Sequence, residues 1–217
     1  MLLVNEVPTL RVLSSRELAP AIEGLLVGWA VRTRGSCLAL HGAGARISGK
    51  TAILVGESGS GKSSLCLSLA VRGARYLSDE VTFVRSETLV VEPFPKAITL
   101  KRGSFHLIAE CETHADPARG PIRYFSPLDA AQMGDAEAPA SMIVFPRFDG
   151  RCSQTRVTWM SPEETAFRMV GQCFGGMGRM PNTLETLAKL SARGAYAVQF
   201  SDASDVCQRI EQLMEST

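Results

Sequence analysis

The chain reads Thr51-Ala-Ile-Leu-Val-Gly-Glu-Ser-Gly-Ser-Gly-Lys-Ser-Ser-Leu-Cys-Leu-Ser-Leu-Ala70 across its most informative segment. The apolar residues 52–55 have the length and composition of a buried strand. They lead into Gly56, four further residues and then Gly61-Lys62-Ser63, which is the pattern of a phosphate-binding loop. The leucines that follow predict a helix that Gly73 can end. Strand, glycine-rich loop and helix therefore occur in the order that binding of a polyphosphate requires.

The spacing within this loop has a chemical reason. Glycines at positions 56, 59 and 61 allow positive φ angles, so the backbone can wrap closely around phosphate groups. The N–H groups of the loop and of the helix N-terminus then point at the anion. Lys62 can reach the β- and γ-phosphates, and the Ser63 hydroxyl can bind Mg²⁺. The predicted nucleotide-binding residues are Gly56, Glu57, Ser58, Gly59, Ser60, Gly61, Lys62, Ser63 and Ser64.

Composition excludes several other classes of protein. A length of 217 residues with 45% hydrophobic and 21% charged residues suits one globular domain with a real core. The net charge of +1 gives no reason to expect nucleic acid or an anionic membrane as a partner. The six cysteines are scattered without a Cys-x-x-Cys pair, so neither a disulfide framework nor a zinc site is expected. Because no signal peptide or membrane-spanning run is apparent, we expect a cytoplasmic protein with reduced thiols.

The predicted domain has three parts. A leading segment covers residues 1–35, the core that contains the loop covers 36–150, and C-terminal helices with one strand cover 151–217. Two short strands, 37–40 and 46–47, precede the loop strand with tight turns between them. This arrangement predicts a sheet that is partly antiparallel.

Later parts of the chain give further expectations. Alternating apolar residues in 81–91 predict a β-hairpin. Residues 111–140 are rich in Ala, Asp, Pro and Gly, and predict an irregular excursion with one short helix, 128–133. The strand 142–145 is expected to pair with 157–160, and Ser161-Pro162 with two following glutamates predicts a capped helix start.

Three spacings resemble the catalytic domain of the HPr kinase/phosphorylase family, and in particular its shorter HPr-kinase-related members. His41-Gly42 stands 21 residues before Lys62, as the His-Gly of that family does. The loop itself follows the pattern of the family. The acidic pair Asp79-Glu80 comes after Arg72-Gly73, at the position of the family's second acidic motif.

The resemblance continues beyond the acidic pair. Pro93-x-Pro95-Lys96 and Leu100-Lys101 are similar to segments of the related kinases, and Phe145-Pro146-Arg147 is similar to their later strand-end arginine. The similar region covers roughly residues 36–150. The family's second glycine-rich signature has no clear counterpart between Glu92 and Gly120, and neither its N-terminal domain nor its phosphorolysis segment is recognisable. A related kinase with a substrate other than HPr is therefore expected.

The resemblance implies a fold and an activity. The fold is α/β, a phosphoenolpyruvate-carboxykinase-like P-loop domain with a mixed, partly antiparallel sheet flanked by helices. The activity is transfer of the γ-phosphate of ATP, with Mg²⁺, to a hydroxyl of a protein, peptide or small-molecule alcohol. A homo-oligomer is compatible with the family, whereas nucleic acid and membrane are not expected as partners.

The resemblance also implies roles for single residues. Asp79 is the expected general base and Lys62 the phosphate-binding cation. Ser63, Glu80 and Asp79 are the expected magnesium ligands, and because neighbouring side chains on a strand point to opposite faces, both carboxylates reach one site only at a strand end or bulge. His41 is expected to orient the acceptor or a phosphate oxygen. The remaining expected catalytic residue is Arg147, which would stabilise charge on the transferring phosphate.

Two other functions stay open from the residues. In a nucleotide-driven switch or ATPase of the parallel-sheet type, Ile143-Val144-Phe145 would be the second phosphate strand and Asp149 the magnesium ligand, although Pro146 and Arg147 interrupt that pattern. A nucleotide-binding module that has lost catalysis would keep the same loop. For the kinase, basic residues near the core can receive an acidic substrate or the edge of the nucleotide base. These are Lys96, Lys101 and Arg102.

Overall fold

The computed structural model of the chain describes residues 2–4, 7–10, 14–108, 112–117, 119–126, 137–176 and 182–216. The chain divides into two compact units, one of residues 1–34 and 99–125 and one of 35–98 and 126–217. The helix expected at 128–133 lies outside the described residues. The single domain inferred from the sequence stays a prediction.

The described residues form thirteen strands and five α-helices. The strands are β1 (Leu2–Val4), β2 (Val7–Leu10), β3 (Cys37–Ile47), β4 (Lys50–Val55), β5 (Arg75–Ser78), β6 (Val81–Arg85), β7 (Val90–Glu92), β8 (Ile98–Lys101), β9 (His114–Asp116), β10 (Gly120–Phe125), β11 (Ala138–Phe148), β12 (Arg156–Met160) and β13 (Ala195–Phe200). The helices are α1 (Leu18–Thr33), α2 (Lys62–Val71), α3 (Pro162–Val170), α4 (Thr183–Ser191) and α5 (Ala203–Ser216). None of these helices is long and apolar enough to cross a membrane.

In the smaller unit, the carboxylate of the half-buried Glu23 joins α1 to the three-stranded sheet β8-β10-β9. Glu23 on α1 accepts hydrogen bonds from the Thr99 hydroxyl at 2.8 Å, from Arg119 at 2.6 Å and from the Tyr124 hydroxyl at 3.0 Å. Arg119 also donates to Asp116 at 2.7 Å. Burial and the neighbouring Glu23 raise the pKa of Tyr124. Because each acceptor of this cluster is matched by a donor, the cluster fixes the helix to the strands of its own unit.

The larger unit contains a mixed sheet in the order β12-β13-β11-β4-β3-β6-β7, with β5 paired to β3. The strands β4, β11 and β13 run parallel, whereas β3 is antiparallel to both β4 and β6. A further antiparallel pairing joins the start of β11 to β7. Helices pack against this sheet, with α2 contacting β3 and β4, α4 contacting β11 and α5 contacting β13. The predicted α/β class with a mixed, partly antiparallel sheet is confirmed.

Three predictions about strands are wrong. Residues 111–140 are not irregular throughout, because β9, β10 and the start of β11 lie within them. The other two errors come from pairing between distant segments. Residues 37–47 form one strand rather than two short ones, because 37–41 pair with β6 and 42–47 pair with β4. The strand β12 does not pair with β11, since β13 lies between them and pairs with both. The predicted hairpin is confirmed as β6 and β7. The predicted helix start is confirmed too, because the Ser161 hydroxyl accepts a hydrogen bond from the Glu164 N–H at 3.2 Å.

The change of partner along β3 falls at Gly42 and requires a residue without a side chain. A Cβ atom at Gly42 would lie 2.7 Å from the carbonyl oxygen of Leu54 on β4. That carbonyl belongs to a strand held on both sides, by β3 and by β11, so it has little freedom to move away. Close approach of two backbones therefore explains the glycine at this position.

We expect Gly42→Ala to lower the free energy of unfolding by about 3 kcal/mol, because the added methyl group meets backbone rather than a flexible side chain. Urea denaturation checks this. Gly35→Ala is the matched control, since a Cβ atom there would meet nothing within 4 Å, and its effect should stay within about 0.5 kcal/mol. Equal effects of the two substitutions would show that the close approach is not needed.

Candidate functional site

The loop between β4 and α2 has the backbone geometry that a phosphate-binding loop requires. Gly56, Gly59 and Gly61 have φ angles of 156°, 88° and 99°. A Cβ atom at Gly61 would lie 2.8 Å from Cζ of Phe200, and one at Gly56 would lie 3.1 Å from the Ser60 hydroxyl. Since only glycine combines positive φ with this lack of space, the residue types follow from the conformation of the loop.

The loop is fixed to the sheet by backbone hydrogen bonds. The Ser60 N–H donates to the carbonyl of Glu57 at 3.2 Å, and the Phe148 N–H at the end of β11 donates to the carbonyl of Ser60 at 3.0 Å. The Ser60 hydroxyl oxygen is buried and has no hydrogen-bond partner within the described part of the chain. A buried hydroxyl without a partner costs stability unless something bonds to it, so its presence here fits an oxygen-rich anion in the loop.

Lys62, the first residue of α2, places its side chain inside the loop. Its side chain is buried with 6% exposure. The Nζ atom donates to the carbonyl oxygens of Gly56 at 2.6 Å and Glu57 at 2.8 Å. The ammonium group therefore lies at the loop, where a bound phosphate would meet a positive charge with little water around it.

A buried carboxylate, that of Asp79, lies next to the Ser63 hydroxyl at the end of the loop. The Ser63 Oγ atom donates to Oδ1 of Asp79 at 2.9 Å, and Asp79 has 0% exposure. Asp79 and Glu80 lie between the end of β5 and the start of β6, and Glu80 has a φ angle of +71°. This break in the strand meets the condition under which two adjacent carboxylates can serve one site. It is not visible in the sequence, because neither residue is a glycine.

His41 on β3 completes the group. Its Nε2 atom lies 3.9 Å from Oε1 of Glu80. Its pKa is lowered from 6.5 by burial and by the charge of Lys62, with Glu80, a Gln172 side-chain hydrogen bond and Asp79 acting in the opposite direction. His41 is therefore neutral at pH 7 and can act both as a hydrogen-bond donor and as an acceptor.

Two residues that contact His41 were missed by sequence reasoning. The segment 172–174 after α3 runs alongside β3, where the His41 N–H donates to the carbonyl of Gln172 at 2.7 Å and the Phe174 N–H donates to the carbonyl of Ala39 at 2.9 Å. The Phe174 ring packs edge-on against the imidazole at 6.0 Å between ring centroids. No local signal could reveal this, because the segment and β3 lie far apart in the sequence.

The lowered pKa of His41 determines the direction in which its contribution to the stability of the nucleotide-free protein changes with pH. The unfolded chain takes up a proton at His41 near pH 6.5, whereas the folded chain does so only at lower pH. The unfolded state therefore binds more protons in this window, and the free energy of unfolding decreases as the pH falls through it. Urea denaturation between about pH 7.5 and pH 5 should show a larger loss for the wild type than for His41→Gln. Parallel curves for the two proteins would contradict the environment described for His41.

The other predicted acidic and basic residues at the end of β11 do not join this group. Arg147 is exposed and, within the described residues, makes no hydrogen bond or ion pair with it. Asp149 accepts hydrogen bonds from the Arg151 N–H at 3.0 Å and from the Gln199 side chain at 2.9 Å. These two donors hold the pKa of Asp149 below its usual value. The carboxylate that the nucleotide switch would need as a magnesium ligand therefore already accepts hydrogen bonds from two protein groups.

The three predicted basic residues do not all belong to the same unit. Lys96 is only 14% exposed at its side chain, and its Nζ atom lies 3.9 Å from Oδ2 of Asp79. Lys101 and Arg102 belong to the smaller unit. Among the loop residues, Glu57, Ser58 and Gly59 are exposed.

The donor set suits a hard cation with few protein ligands. Within the described ranges, no cluster of three or more His, Cys, Asp or Glu side chains could hold a metal by itself. Mg²⁺ usually keeps several waters and binds through one or two carboxylates together with substrate phosphates. Ser63 and Asp79 supply one hydroxyl and one carboxylate beside the loop. These residues fit magnesium carried in with a nucleotide better than a metal bound on its own.

The chain was compared with family models, with curated proteins and with solved structures. No family model matches the chain, and a comparison with curated proteins gives no match. Among solved structures, the chain is similar to the HPr(Ser) kinase/phosphatase from Coxiella burnetii, with 12% sequence identity and a TM-score of 0.38 over 82% of this chain and 94% of that chain. A likeness of this size assigns no residue of the present chain a function.

Proposed function

We propose that the chain is an ATP-dependent kinase that transfers the γ-phosphate to a hydroxyl of a protein, peptide or small-molecule alcohol. The observation that carries the proposal is the hydrogen bond of 2.9 Å between Ser63 and Asp79. It joins a hydroxyl at the phosphate loop to a buried carboxylate from another part of the sheet. We propose that a carboxylate at that point accepts a proton from a hydroxyl that attacks a phosphate held in the loop.

The loop supports ATP as the phosphoryl donor. Its three glycines with positive φ allow the backbone N–H groups to line an anion site. The Lys62 ammonium can exchange its bonds to two loop carbonyls for bonds to phosphate oxygens. The Ser60 hydroxyl, which has no hydrogen-bond partner among the residues that the structure describes, offers a further donor. These groups bind and orient the polyphosphate.

Magnesium would be held by Ser63 and Asp79, with Glu80 beside them. When bound, the ion would neutralise charge on the β- and γ-phosphates. The residues themselves fix where the terminal phosphate lies relative to the carboxylates. The two carboxylates differ in environment, since Asp79 is fully buried and Glu80 is half-buried.

The transfer step needs one proton acceptor. The acceptor oxygen forms a bond to the γ-phosphorus, the bond to the bridging oxygen breaks, and ADP leaves with the electron pair. The proton of the acceptor hydroxyl goes to the Asp79 carboxylate. Neutral His41 can hold the acceptor or a phosphate oxygen by a hydrogen bond, and Arg147 at the end of β11 is proposed to stabilise charge on the transferring group.

We also propose that the domain is of the phosphoenolpyruvate-carboxykinase-like P-loop type and related to HPr kinase, with a substrate other than HPr. The loop strand β4 has one parallel neighbour, β11, and one antiparallel neighbour, β3. An all-parallel P-loop sheet would not place an antiparallel strand there. His41 and Asp79 both reach the loop from this antiparallel side, since β5 pairs with β3.

A nucleotide switch or ATPase is the second candidate. One observation favours it, because β11 lies directly beside β4 in parallel and ends next to Asp149, as that function requires. Two observations oppose it: Asp149 is bonded to Arg151 and Gln199, and the Ser63 hydroxyl bonds to Asp79. The kinase function therefore agrees with more of the site.

Transfer of radiolabelled γ-phosphate tests the proposal. The protein is incubated with labelled ATP and Mg²⁺, together with a panel of hydroxyl compounds or with fractionated cell protein, and labelled products are separated from free phosphate. A stable phosphate ester that forms with the wild type and not with Lys62→Ala supports the kinase. Release of free phosphate alone with every acceptor would point to the second candidate, and ATP binding without turnover would point to a module that has lost catalysis.

A further inference from the structure

We infer that Lys96 is a positioning residue that holds the Asp79 carboxylate in the orientation needed at the phosphate loop; the inference rests on the proposed function for its catalytic consequence. The two oxygens of Asp79 face different partners. Oδ1 accepts the hydrogen bond from Ser63 at 2.9 Å, and Oδ2 lies 3.9 Å from the Lys96 Nζ atom. A hydroxyl and an ammonium group on opposite oxygens define the plane of the carboxylate.

The segment that carries Lys96 is firmly attached beside the acidic pair. The Phe94 N–H donates to the carbonyl of Leu77 at 2.8 Å, and Phe94 forms a parallel bridge with Ser78. The Phe94 ring packs edge-on against Phe83 at 5.5 Å between centroids. The segment just before Lys96 is therefore hydrogen-bonded to β5 and packed against β6.

Both the backbone and the side chain of Lys96 are held by hydrogen bonds. Its carbonyl accepts a hydrogen bond from the hydroxyl of the fully buried Tyr76 at 2.7 Å. Its Nζ atom donates to the carbonyl of Ala97 at 2.9 Å. With prolines at 93 and 95 restricting the backbone before it, Lys96 loses little further freedom by facing Asp79. The position is therefore built into the fold and does not depend on a mobile surface side chain.

Electrostatics explains why such a residue is needed. A fully buried carboxylate is expensive to keep charged unless a positive charge and hydrogen bonds compensate for the lost water. The Lys96 ammonium, 3.9 Å from Oδ2 of Asp79, supplies such a positive charge. Without the Lys96 ammonium, the Asp79 carboxylate would stay buried but would be held less firmly in its orientation. The phosphate loop would be unchanged.

A double-mutant cycle in the nucleotide-free protein tests the contact independently of any activity. We expect Lys96→Met to lower the thermal midpoint by about 5 °C in the wild type and by about 1 °C in Asp79→Asn, where the charge to be compensated is gone. Lys50→Met is the matched control, because the Lys50 Nζ atom donates to a backbone carbonyl, that of Met214, at 2.6 Å. Its effect should be the same in both backgrounds. Equal shifts for Lys96→Met in the two backgrounds overturn the inference.

Steady-state hydrolysis of Mg·ATP, with water as the acceptor, tests the positioning role. Lys96→Met should lower kcat by about 100-fold with a KM for ATP within about threefold of the wild type, and Lys96→Arg should recover most of kcat. A rise in KM without a change in kcat, or no rescue by arginine, overturns positioning. If the wild type neither hydrolyses nor transfers phosphate, the proposed function fails, and the catalytic part of this inference fails with it. An additive cycle in an active enzyme overturns the inference alone.

Discussion

Asp79→Asn should lower the rate of γ-phosphate transfer by about 10³-fold while magnesium-free ATP binds with nearly unchanged affinity. The amide has almost the same shape as the carboxylate, and its oxygen can still accept the hydrogen bond from Ser63 that spans 2.9 Å. It cannot take up a proton from an attacking hydroxyl. The rate is measured by transfer from labelled ATP to an acceptor found in the screen, or to water if hydrolysis is the measurable reaction. Binding is measured by calorimetry with a non-hydrolysable ATP analogue.

Asp149→Asn is the matched control for this substitution. Its carboxylate also lies in the larger unit, near the end of a strand next to β4, but it bonds to Arg151 and Gln199. The kinase account expects its transfer rate to stay within about threefold of the wild type, because a surface substitution away from the reacting groups has little effect. A normal rate for Asp79→Asn with an inactive Asp149→Asn would reverse the assignment and favour the nucleotide switch.

The second large effect is expected from Lys62→Ala. The buried ammonium group lies 2.6 Å and 2.8 Å from two loop carbonyls, so it is inside the loop that is proposed to bind the phosphates. Removing one such group from a site with little water typically lowers the rate by about 10²–10³-fold. We therefore expect kcat/KM for ATP to fall by that factor, with most of the loss in transition-state stabilisation. Steady-state kinetics over a range of ATP concentrations measures it.

Lys189→Ala supplies the comparison for Lys62→Ala. Lys189 lies on α4 in an exposed ion pair with Glu185 at 2.6 Å, so its removal deletes one positive charge without changing the loop. Its kinetics should match the wild type, because exposed pairs contribute little. Comparable losses in the two variants would mean that net charge, rather than the loop ammonium, controls the reaction.

The conformation of the Gly56–Ser63 loop could be predicted because its information is local. The loop occupies consecutive residues, and each glycine is explained by a φ angle or by the lack of space for a side chain. The hairpin β6–β7 and the cap at Ser161 also depend on neighbours within a few residues. Local signals of this kind are sufficient because turn and cap geometry is set within one or two turns of chain.

Other features could not be predicted because they depend on pairing between distant segments. The length of β3 follows from having two successive partners, β6 and then β4. The insertion of β13 between β11 and β12 decides which strand β12 pairs with. The contacts of Gln172 with His41 and of Lys96 with Asp79 likewise arise only after the sheet has formed. The sequence contains all these residues but no spacing that connects them.

Arg147 shows the limit of a motif carried over by similarity. Its place at the end of β11 agrees with the pattern, yet its side chain is exposed and outside the group formed by Lys62, Ser63, Asp79, Glu80 and His41. Its role as a stabiliser of the transferring phosphate stays a prediction. The kinetics of Arg147→Ala can be compared with those of Asp79→Asn and Lys62→Ala.

The most direct measurement of the central claim is a crystal structure of the protein with a non-hydrolysable ATP analogue and Mn²⁺, whose anomalous signal locates the metal. The account predicts the triphosphate in the Gly56–Ser63 loop, the metal beside Ser63, and the Asp79 carboxylate facing the γ-phosphate with no protein atom between them. A structure in which Asp79 is turned away from the loop and the metal is held by Asp149 would contradict it.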